Sequence, residues 1–435
     1  MLEQLDRIRG YATELLYRRL SLAGGEHLGA LAPNSAVTLV GASYLTGEAD
    51  AEEVLARVLE HARSGVLWFT YRRGFAAIAG TSFTSDAGWG CMMRTGQMLL
   101  AQALAAHHFG RAWRSVALDV VALAEAAAAA PAAAPAPADG GGEAAAPAPA
   151  PAADDGDGGS GEAATREARA QEASLLALFA DCAEAPFGIH QIVLEGAAQG
   201  TPAGRWLGPT SIAQVLGRLN ARAVAAPSPP PPEAGASDAA AAPAPAPALR
   251  LELSVHVAMD GSVYRSEVEA AAGTGDGGGW RPLLLLVPLR LGLDRLNEEY
   301  VPSLRALLGM PQSVGMIGGR PRRSYYFLGC QGERVLYLDP HEVQPALRAD
   351  APQLPSCHFA QPPRTMPMRE IDPSLALGFL CPTAAAFDDL CARCADAFAG
   401  SLPAFSIATA PPDFSRLSGG EEEGEGGDDD DGVVL

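Results

Sequence analysis

The segment from Thr84 to Gln97 reads TSDAGWGCMMRTGQ and places one thiol directly before an apolar run. Gly88 and Gly90 permit a tight turn on the approach to Cys91. Apolar residues then keep helical spacing to about His108, which predicts a helix that begins at the cysteine. The unpaired amides at a helix N-terminus favour a negative charge, so they would favour the Cys91 thiolate.

Two interpretations of Cys91 follow from this segment. It is either a nucleophile, with the helix amides also able to hold an oxyanion, or a small residue packed in the core, as free cysteines commonly are. The segment alone does not distinguish these two interpretations, whereas a partner histidine elsewhere in the chain would favour the nucleophile.

His341 is the candidate partner, because it ends the stretch VLYLDPH at 335–341. Asp339 and His341 lie two residues apart at the end of an extended run, so their side chains can leave the same face. The carboxylate could then fix the imidazole tautomer while the other ring nitrogen faces a thiol. The alternative is an Asp-Pro turn with an exposed histidine, which Pro340 alone would explain.

The remaining titratable clusters predict less. Cys391 and Cys394 form a C-x-x-C, and Cys357 and His358 could supply two further zinc ligands. The C-x-x-C lies within a predicted helical stretch, 387–398, which lacks the turn of a zinc knuckle. We therefore expect no metal and no cofactor. A thiol–disulfide switch at Cys391 and Cys394 is the alternative to simple packing. His107 and His108 end the helix predicted to begin at Cys91, where a positive charge would interact favourably with the helix dipole.

Composition excludes several classes of protein. The 435 residues carry a formal net charge of −20, which argues against a nucleic-acid partner. The seven cysteines are odd in number and irregularly spaced, which indicates reduced thiols. The N-terminal residues lack the apolar core of a signal peptide, and the longest apolar run, 283–287, is too short for a bilayer. We expect a soluble, cytoplasmic protein.

The chain is predicted to form one domain, 1–409, interrupted by low-complexity insertions at 126–162 and 225–247 and followed by a disordered acidic tail, 410–435. Helices are predicted early and strands late, which indicates an α+β class. Thr210 or Ser211 is expected to cap the helix that begins at Pro209. The predicted helices are 2–22, 91–108, 163–182 and 209–219, and the predicted strands are 67–71, 251–259, 283–288 and a hairpin of 325–330 with 334–338.

Several long stretches, in the same order, resemble the autophagins, the cysteine proteases of autophagy that process a small ubiquitin-like modifier. The resemblance extends over most of the chain outside the insertions. The stretches are WFTYRRGF at 68–75, the Cys91 segment, APFGIHQ at 185–191, GRWLGP at 204–209, YVP at 300–302, PQSVGMIGGRP at 311–321, YLDPH at 337–341 and IDPSLALGF at 371–379.

The resemblance implies a papain-like fold with a small lid or substrate subdomain. It implies that Cys91 is the nucleophile, that His341 is the general base and later the acid, and that Asp339 orients His341. Tyr71 matches the family tyrosine that donates its hydroxyl to the oxyanion. Many animal members carry a second cysteine four residues after the nucleophile, where this chain has Thr95.

The resemblance also implies the substrate. Family members cut after a C-terminal glycine of the modifier and later release the same glycine from phosphatidylethanolamine. A tryptophan and a mobile loop cover the family's cleft, and here Trp206 and the loop of Arg320, Pro321 and Arg322 match them. We expect a monomer that contacts autophagic membranes transiently through its substrate.

Three further possibilities stay open at this point. Phe414 and Leu417 are spaced as modifier-binding anchors for strand addition, although such short patterns arise often by chance. The chain could instead be a binding protein that keeps the fold without turnover, or a general deubiquitinase on a papain-like fold. Trp206 could also be a core aromatic.

Overall fold

The computed structural model describes residues 26–47, 49–116, 158–226, 249–273, 279–350, 354–359 and 361–412. The helix predicted at 2–22 and all but three residues of the predicted acidic tail lie outside these ranges. The helices of the described part are α1 Ala51–Ser64, α2 Cys91–His108, α3 Gly158–Ala177, α4 Ile189–Ala198, α5 Pro209–Ala225, α6 Arg265–Ala272, α7 Val301–Leu308 and α8 Ala384–Phe398.

In the part of the chain that the structure describes, ten strands form one sheet that is antiparallel except for one pair. These strands are β1 Glu26–His27, β2 Ala36–Leu39, β3 Ala42–Leu45, β5 Ser254–Val257, β7 Leu283–Arg290, β8 Ser313–Arg320, β9 Arg323–Gln331, β10 Arg334–Leu338, β12 Arg364–Pro367 and β13 Ser374–Cys381. The main order is β1-β12-β10-β9-β8-β13-β7-β5, and β2 joins β9 and also pairs with β3. Two short parallel pairs lie apart from it: β4 Tyr71–Arg73 with β11 Val343–Pro345, and β6 Ser262–Tyr264 with β14 Ser406–Ala408.

Helices cover both faces of the sheet. Alternate residues of a strand point to opposite faces, so Leu284 and Leu286 enter one core while Leu283, Leu285 and Val287 enter the other. The first core is closed by α1 to α5 and the second by α6, α7 and α8. Burial on both faces explains the continuous apolar run of β7.

Helix α2 runs through the first core and packs on β8 and β9. Its residues from Cys91 to Ala105 are all buried, so it has no solvent face. Two glycines allow the close packing: a Cβ on Gly96 would lie 2.6 Å from Ile212, and one on Gly378 of β13 would lie 3.1 Å from Leu99. The fold thereby fixes the start of α2 against the sheet.

The α+β class is confirmed, as are the helix beginning at Cys91 and the hairpin of β9 and β10. The predicted cap of α5 is wrong, because Gly208 is its N-cap and no side chain accepts a cap hydrogen bond there. Proline has no backbone N–H, so Pro209 leaves one fewer amide without an acceptor in the first turn. The helix can therefore begin there without a side-chain cap. Only the last residue of the predicted strand 67–71 lies in a strand.

The expected insertion limits overlap two helices, because α3 begins at Gly158 and α5 ends at Ala225. The domain limits themselves stay a prediction. The expected lid elements are directly connected to the main fold. Trp206 precedes α5, and residues 320–322 lie at the connection between β8 and β9.

Candidate active site

The turn before α2 places Cys91 at the first position of the helix, with Gly90 as its N-cap. Two amides close this turn on one carbonyl, since the N–H groups of Trp89 and Gly90 donate to Asp86 O at 3.2 and 2.9 Å. A Cβ on Gly90 would lie 2.3 Å from Asp86 Oδ2, so only glycine fits. The thiol is therefore held at the positive end of the helix dipole, 3 % exposed.

His341 and Asp339 follow directly after β10. His341 Nδ1 lies 2.5 Å from Asp339 Oδ1, and the His341 backbone N–H donates to the same oxygen at 3.0 Å. The indole of Trp68 donates to the Asp339 carbonyl at 2.9 Å, and Arg364 Nη1 lies 3.9 Å from Asp339 Oδ2. These contacts fix the imidazole in one orientation with Nε2 directed away from the carboxylate.

The structure brings His341 close enough to Cys91 for each group to shift the pKa of the other. Burial opposes ionisation of the Cys91 thiol, but the neighbouring His341, Ser324 and Tyr71 side chains outweigh it and lower the pKa of Cys91. Burial likewise opposes charge on His341, yet the Asp339 carboxylate raises the pKa of His341 to about 9. Both shifts therefore favour the thiolate–imidazolium pair over the neutral pair.

Tyr71 lies beside both groups. Its ring meets the His341 ring edge-on at 5.4 Å between centroids, and its side chain helps to lower the pKa of Cys91. The Tyr71 backbone N–H donates to Pro340 O at 3.0 Å, and Tyr71 pairs with Val343 in the β4–β11 ladder. The segment that carries His341 thus also positions the tyrosine.

Trp206 and the β8–β9 turn lie at the mouth of this site. Trp206 is 50 % exposed, and its Nε1 donates to Ser324 Oγ at 3.2 Å. Arg320 forms an ion pair with Glu370, and Arg322 has a φ of +67°, which the third residue of a tight turn after proline requires. Trp206 is therefore not a core aromatic. With His341 only 4 % exposed and Asp339 7 %, the mouth is closed.

Residues 56–393 match the peptidase C54 catalytic domain. The chain belongs to the peptidase C54 family. It is 34 % identical over 397 residues to "Cysteine protease ATG4B" of Gallus gallus, which covers 83 % of this chain and 81 % of the relative. It is 33 % identical to the Xenopus laevis protein of the same name, over 80 % of this chain and 78 % of the relative. "Cysteine protease ATG4A" of Oryza sativa subsp. indica is 32 % identical over 96 % of this chain and 80 % of that protein.

Membership of the C54 family makes this chain a cysteine peptidase of autophagy with a papain-like fold. The family resemblance that the sequence motifs indicate is thereby confirmed, and the possibility of a binding protein without turnover is set aside. A C54 peptidase acts on autophagy modifiers, so the general kind of partner is also confirmed. No helix in the described ranges is long and apolar enough to cross a membrane.

The sequence motifs did not predict a buried ion cluster beneath Cys91. Arg94, 1 % exposed, bonds through Nε to Asp86 Oδ2 and through Nη1 to Asp181 Oδ1, both at 2.8 Å. Asp86 Oδ1 accepts from the Arg72 backbone N–H at 2.6 Å, and Asp181 Oδ2 accepts from the Leu347 N–H at 2.7 Å. The cluster therefore ties the α2 turn to the segments that carry Tyr71 and His341.

A signal for this cluster exists in the sequence, since Arg94 is the one charged residue of an otherwise uncharged helix before its terminal histidines. Burial raises the pKa of Asp86, although the Arg94 guanidinium works in the opposite direction. The carboxylates of Asp181 and Asp86 hold the pKa of Arg94 above its ordinary value, against the effect of burial. Ser324 is a second missed residue, and no spacing rule points to it.

The two thiols of the C-x-x-C lie on α8, in the second core. Cys394 is fully buried with its Sγ 3.9 Å from Met310 Sδ, and burial raises its pKa to about 12. Burial raises the pKa of Cys391 as well. Both thiols are therefore held neutral, which disfavours oxidation. A redox switch at Cys391 and Cys394 stays a prediction.

The predicted charge at the end of α2 is wrong. Burial lowers the pKa of His107, and burial with the neighbouring His107 charge lowers the pKa of His108 to about 4, so both are neutral at pH 7.

No cluster of three metal-ligating side chains occurs in the described part of the chain. Phe414 and Leu417 of the predicted tail motif lie outside the described residues. Thr95 is buried and donates from Oγ1 to Met92 O at 2.9 Å.

Proposed function

We propose that this C54 peptidase cleaves a ubiquitin-like autophagy modifier after its C-terminal glycine, first from the precursor and later from phosphatidylethanolamine. The observation that carries the proposal is that Asp339 holds the His341 imidazole by a hydrogen bond, while His341 and Tyr71 adjoin Cys91 and lower its pKa. Both reactions hydrolyse an amide of the same glycine carbonyl. One set of catalytic groups therefore serves both.

In the first step the Cys91 thiolate attacks the glycine carbonyl carbon, and the carbonyl oxygen takes the negative charge. The Cys91 backbone N–H, unpaired at the first turn of α2, and the Tyr71 hydroxyl can donate to this oxygen. His341 then gives its Nε2 proton to the departing nitrogen, which leaves as a peptide amine or as the ethanolamine amine. A thioester of the glycine with Cys91 remains.

In the second step His341, now neutral, takes a proton from water as the water attacks the thioester carbonyl. Collapse of the intermediate breaks the C–S bond, releases the modifier with a glycine carboxylic acid that loses its proton to solvent, and returns the thiolate and imidazolium. Asp339 keeps Nδ1 protonated in both steps, so that Nε2 is the nitrogen that exchanges protons.

The closed mouth supports a lid role for Trp206 and for the turn of Arg320, Pro321 and Arg322. Because Cys91 is almost fully covered, a substrate tail can reach it only if these elements move apart. A narrow channel between an indole ring and a hairpin turn admits a chain without a Cβ more readily than any other residue. This accounts for the choice of glycine.

The proposal extends to partners and place. The enzyme acts as a monomer in the cytoplasm, binds the free and the lipid-conjugated modifier, and uses neither nucleic acid nor cofactor. Phe414 and Leu417 add a strand to the modifier's sheet and raise its local concentration.

Cleavage of a modifier precursor carrying a C-terminal tag tests the proposal. The wild type should release the tag after the glycine, and Cys91→Ser should abolish turnover while the matched control Cys182→Ser retains it. Cys182 is free and half-buried outside the site. Equal turnover by Cys91→Ser would refute the assignment of the nucleophile, and efficient cleavage of ubiquitin fusions would favour a general deubiquitinase instead.

A further inference from the structure

Two segments at the mouth of the site concentrate positive charge. Residues 201–208 contain Arg205 and residues 319–324 contain Arg320, Arg322 and Arg323, whereas neither segment contains an acidic residue. The hydrogen bond from Trp206 to Ser324 joins the segments directly. We call Arg205, Trp206 and residues 320–323 the cationic rim. It stands out in a chain whose formal net charge is −20.

The four guanidinium groups of the cationic rim differ in what they contact. Arg320 pairs with Glu370, and Arg323, partly buried, acts on the Tyr325 hydroxyl by partly offsetting the rise in its pKa that burial causes. Arg205 and Arg322 are exposed. The outer part of the rim therefore presents two exposed arginines together with the half-exposed Trp206 indole.

Arg322 has a left-handed backbone, with a φ of +67°. Glycine or asparagine adopts that conformation with less strain, so the turn itself does not require an arginine there. The tip of the β8–β9 hairpin thus keeps an exposed cation at a position where the backbone prefers a different residue.

The cationic rim borders the reacting groups. Tyr325, which Arg323 contacts, lies with its ring 5.9 Å from the His341 ring, and Ser324 reaches the Cys91 thiol. A substrate bond that reaches Cys91 must therefore pass the rim. In the lipid-releasing reaction that bond includes the amine nitrogen of a phospholipid headgroup.

The geometry points to the cationic rim as a docking surface for anionic phospholipid headgroups around the lipid-conjugated modifier, an inference that rests on the proposed function. The headgroup layer is only about 5–8 Å deep on each side of a bilayer, so cutting at the headgroup nitrogen brings the mouth of the site to that layer. Tryptophan is enriched at this interface, and arginine near it is attracted to anionic lipids. Acidic side chains of the modifier are the competing occupant.

The experiment compares three substrates for each protein: the soluble tagged precursor, the conjugate in phosphatidylcholine vesicles, and the conjugate in vesicles with part of the phosphatidylcholine replaced by phosphatidylserine. The variants are Arg205→Gln alone and with Arg322→Asn, which suits the left-handed backbone. The control is Arg57→Gln with Arg250→Gln, two exposed arginines outside the rim. The measured quantity is the ratio of kcat/KM in the anionic vesicles to that in the neutral vesicles.

We expect the wild type and the control to favour the anionic vesicles several-fold at low salt, and each rim substitution to reduce this ratio by up to about fivefold. An unchanged ratio in the double variant would overturn the inference. So would an equal loss on all three substrates, which would assign the arginines to the modifier.

A second measurement does not depend on lipid release. Cys91→Ala protein without modifier should float with phosphatidylserine vesicles more than the same protein carrying the two rim substitutions, and equal flotation would again contradict the rim. If the wild type processes the precursor but releases no conjugate from either vesicle, the proposed lipid-releasing activity is wrong. The flotation result then decides the rim separately.

Discussion

The Trp206 indole donates a hydrogen bond to Ser324 Oγ at 3.2 Å, and the same hydroxyl reaches the Cys91 thiol. Ser324 is fully buried on β9, where it pairs with Gly319 of β8. Trp206 and Cys91 are thus joined through one hydroxyl. In the proposed mechanism, movement of Trp206 away from the cleft breaks its hydrogen bond to Ser324.

Ser324→Ala should make the thiolate less stable and the lid looser, because both hydrogen bonds of Oγ are lost. The Ser324 bond is one of the contacts that lower the pKa of Cys91, so the acid limb of alkylation by iodoacetamide should move to higher pH. Ser324→Thr, which keeps the hydroxyl, is the control. An unmoved acid limb in the alanine variant would show that Ser324 does not act on the thiol.

The pH profile of kcat/KM should be bell-shaped. The acid limb reflects protonation of the Cys91 thiolate, and the alkaline limb reflects loss of the His341 proton with a midpoint near its pKa, which Asp339 raises to about 9. A raised histidine pKa keeps the imidazolium present below that value, so activity falls as the pH rises through it.

Asp339→Asn removes the charge that raises the pKa of His341 and leaves the opposing effect of burial. The alkaline limb should move to lower pH, and kcat should fall by up to roughly 10⁴-fold, as for the corresponding change in serine proteases. Substitution of the exposed Asp350 by Asn is a control that should leave the profile in place. An alkaline limb that stays near pH 9 in Asp339→Asn would contradict the role of Asp339.

The parts that local chemistry determines were predictable from the sequence: a thiol after glycines, a carboxylate and an imidazole two residues apart, and a buried strand of continuous leucine. Ser324 was not predictable, because a serine in a strand has no spacing that relates it to a cysteine on a distant helix. The pairing of Arg94 with Asp86 and Asp181 likewise depends on which segments meet in space. The neutral state of His107 and His108 depends on burial, which the helix pattern does not report.

The buried cluster around Arg94 should be far more sensitive to loss of one member than to neutralisation of all three. Arg94→Met leaves Asp86 and Asp181 buried without a cation, at a cost of about 3–5 kcal/mol in the free energy of unfolding. The triple variant with Asp86→Asn and Asp181→Asn should regain much of this loss. Urea unfolding of the two variants measures the difference, and equal stabilities would mean that the charges do not interact.

Gly90→Ala tests the turn that aims Cys91 at its partners. The new Cβ would lie 2.3 Å from Asp86 Oδ2 and 2.7 Å from Asp86 Cβ, so either Asp86 or the helix start must shift. Overpacking of this kind costs about 1–3 kcal/mol in stability. Because the displaced atoms adjoin Cys91, we also expect kcat to fall more than the loss of stability alone explains.

The matched control is Gly400→Ala, where nothing lies within 4 Å of the added Cβ. Urea unfolding and kcat measured on the same preparations separate the two effects, and a stable Gly90→Ala enzyme with unchanged kcat would show that the turn tolerates the methyl group.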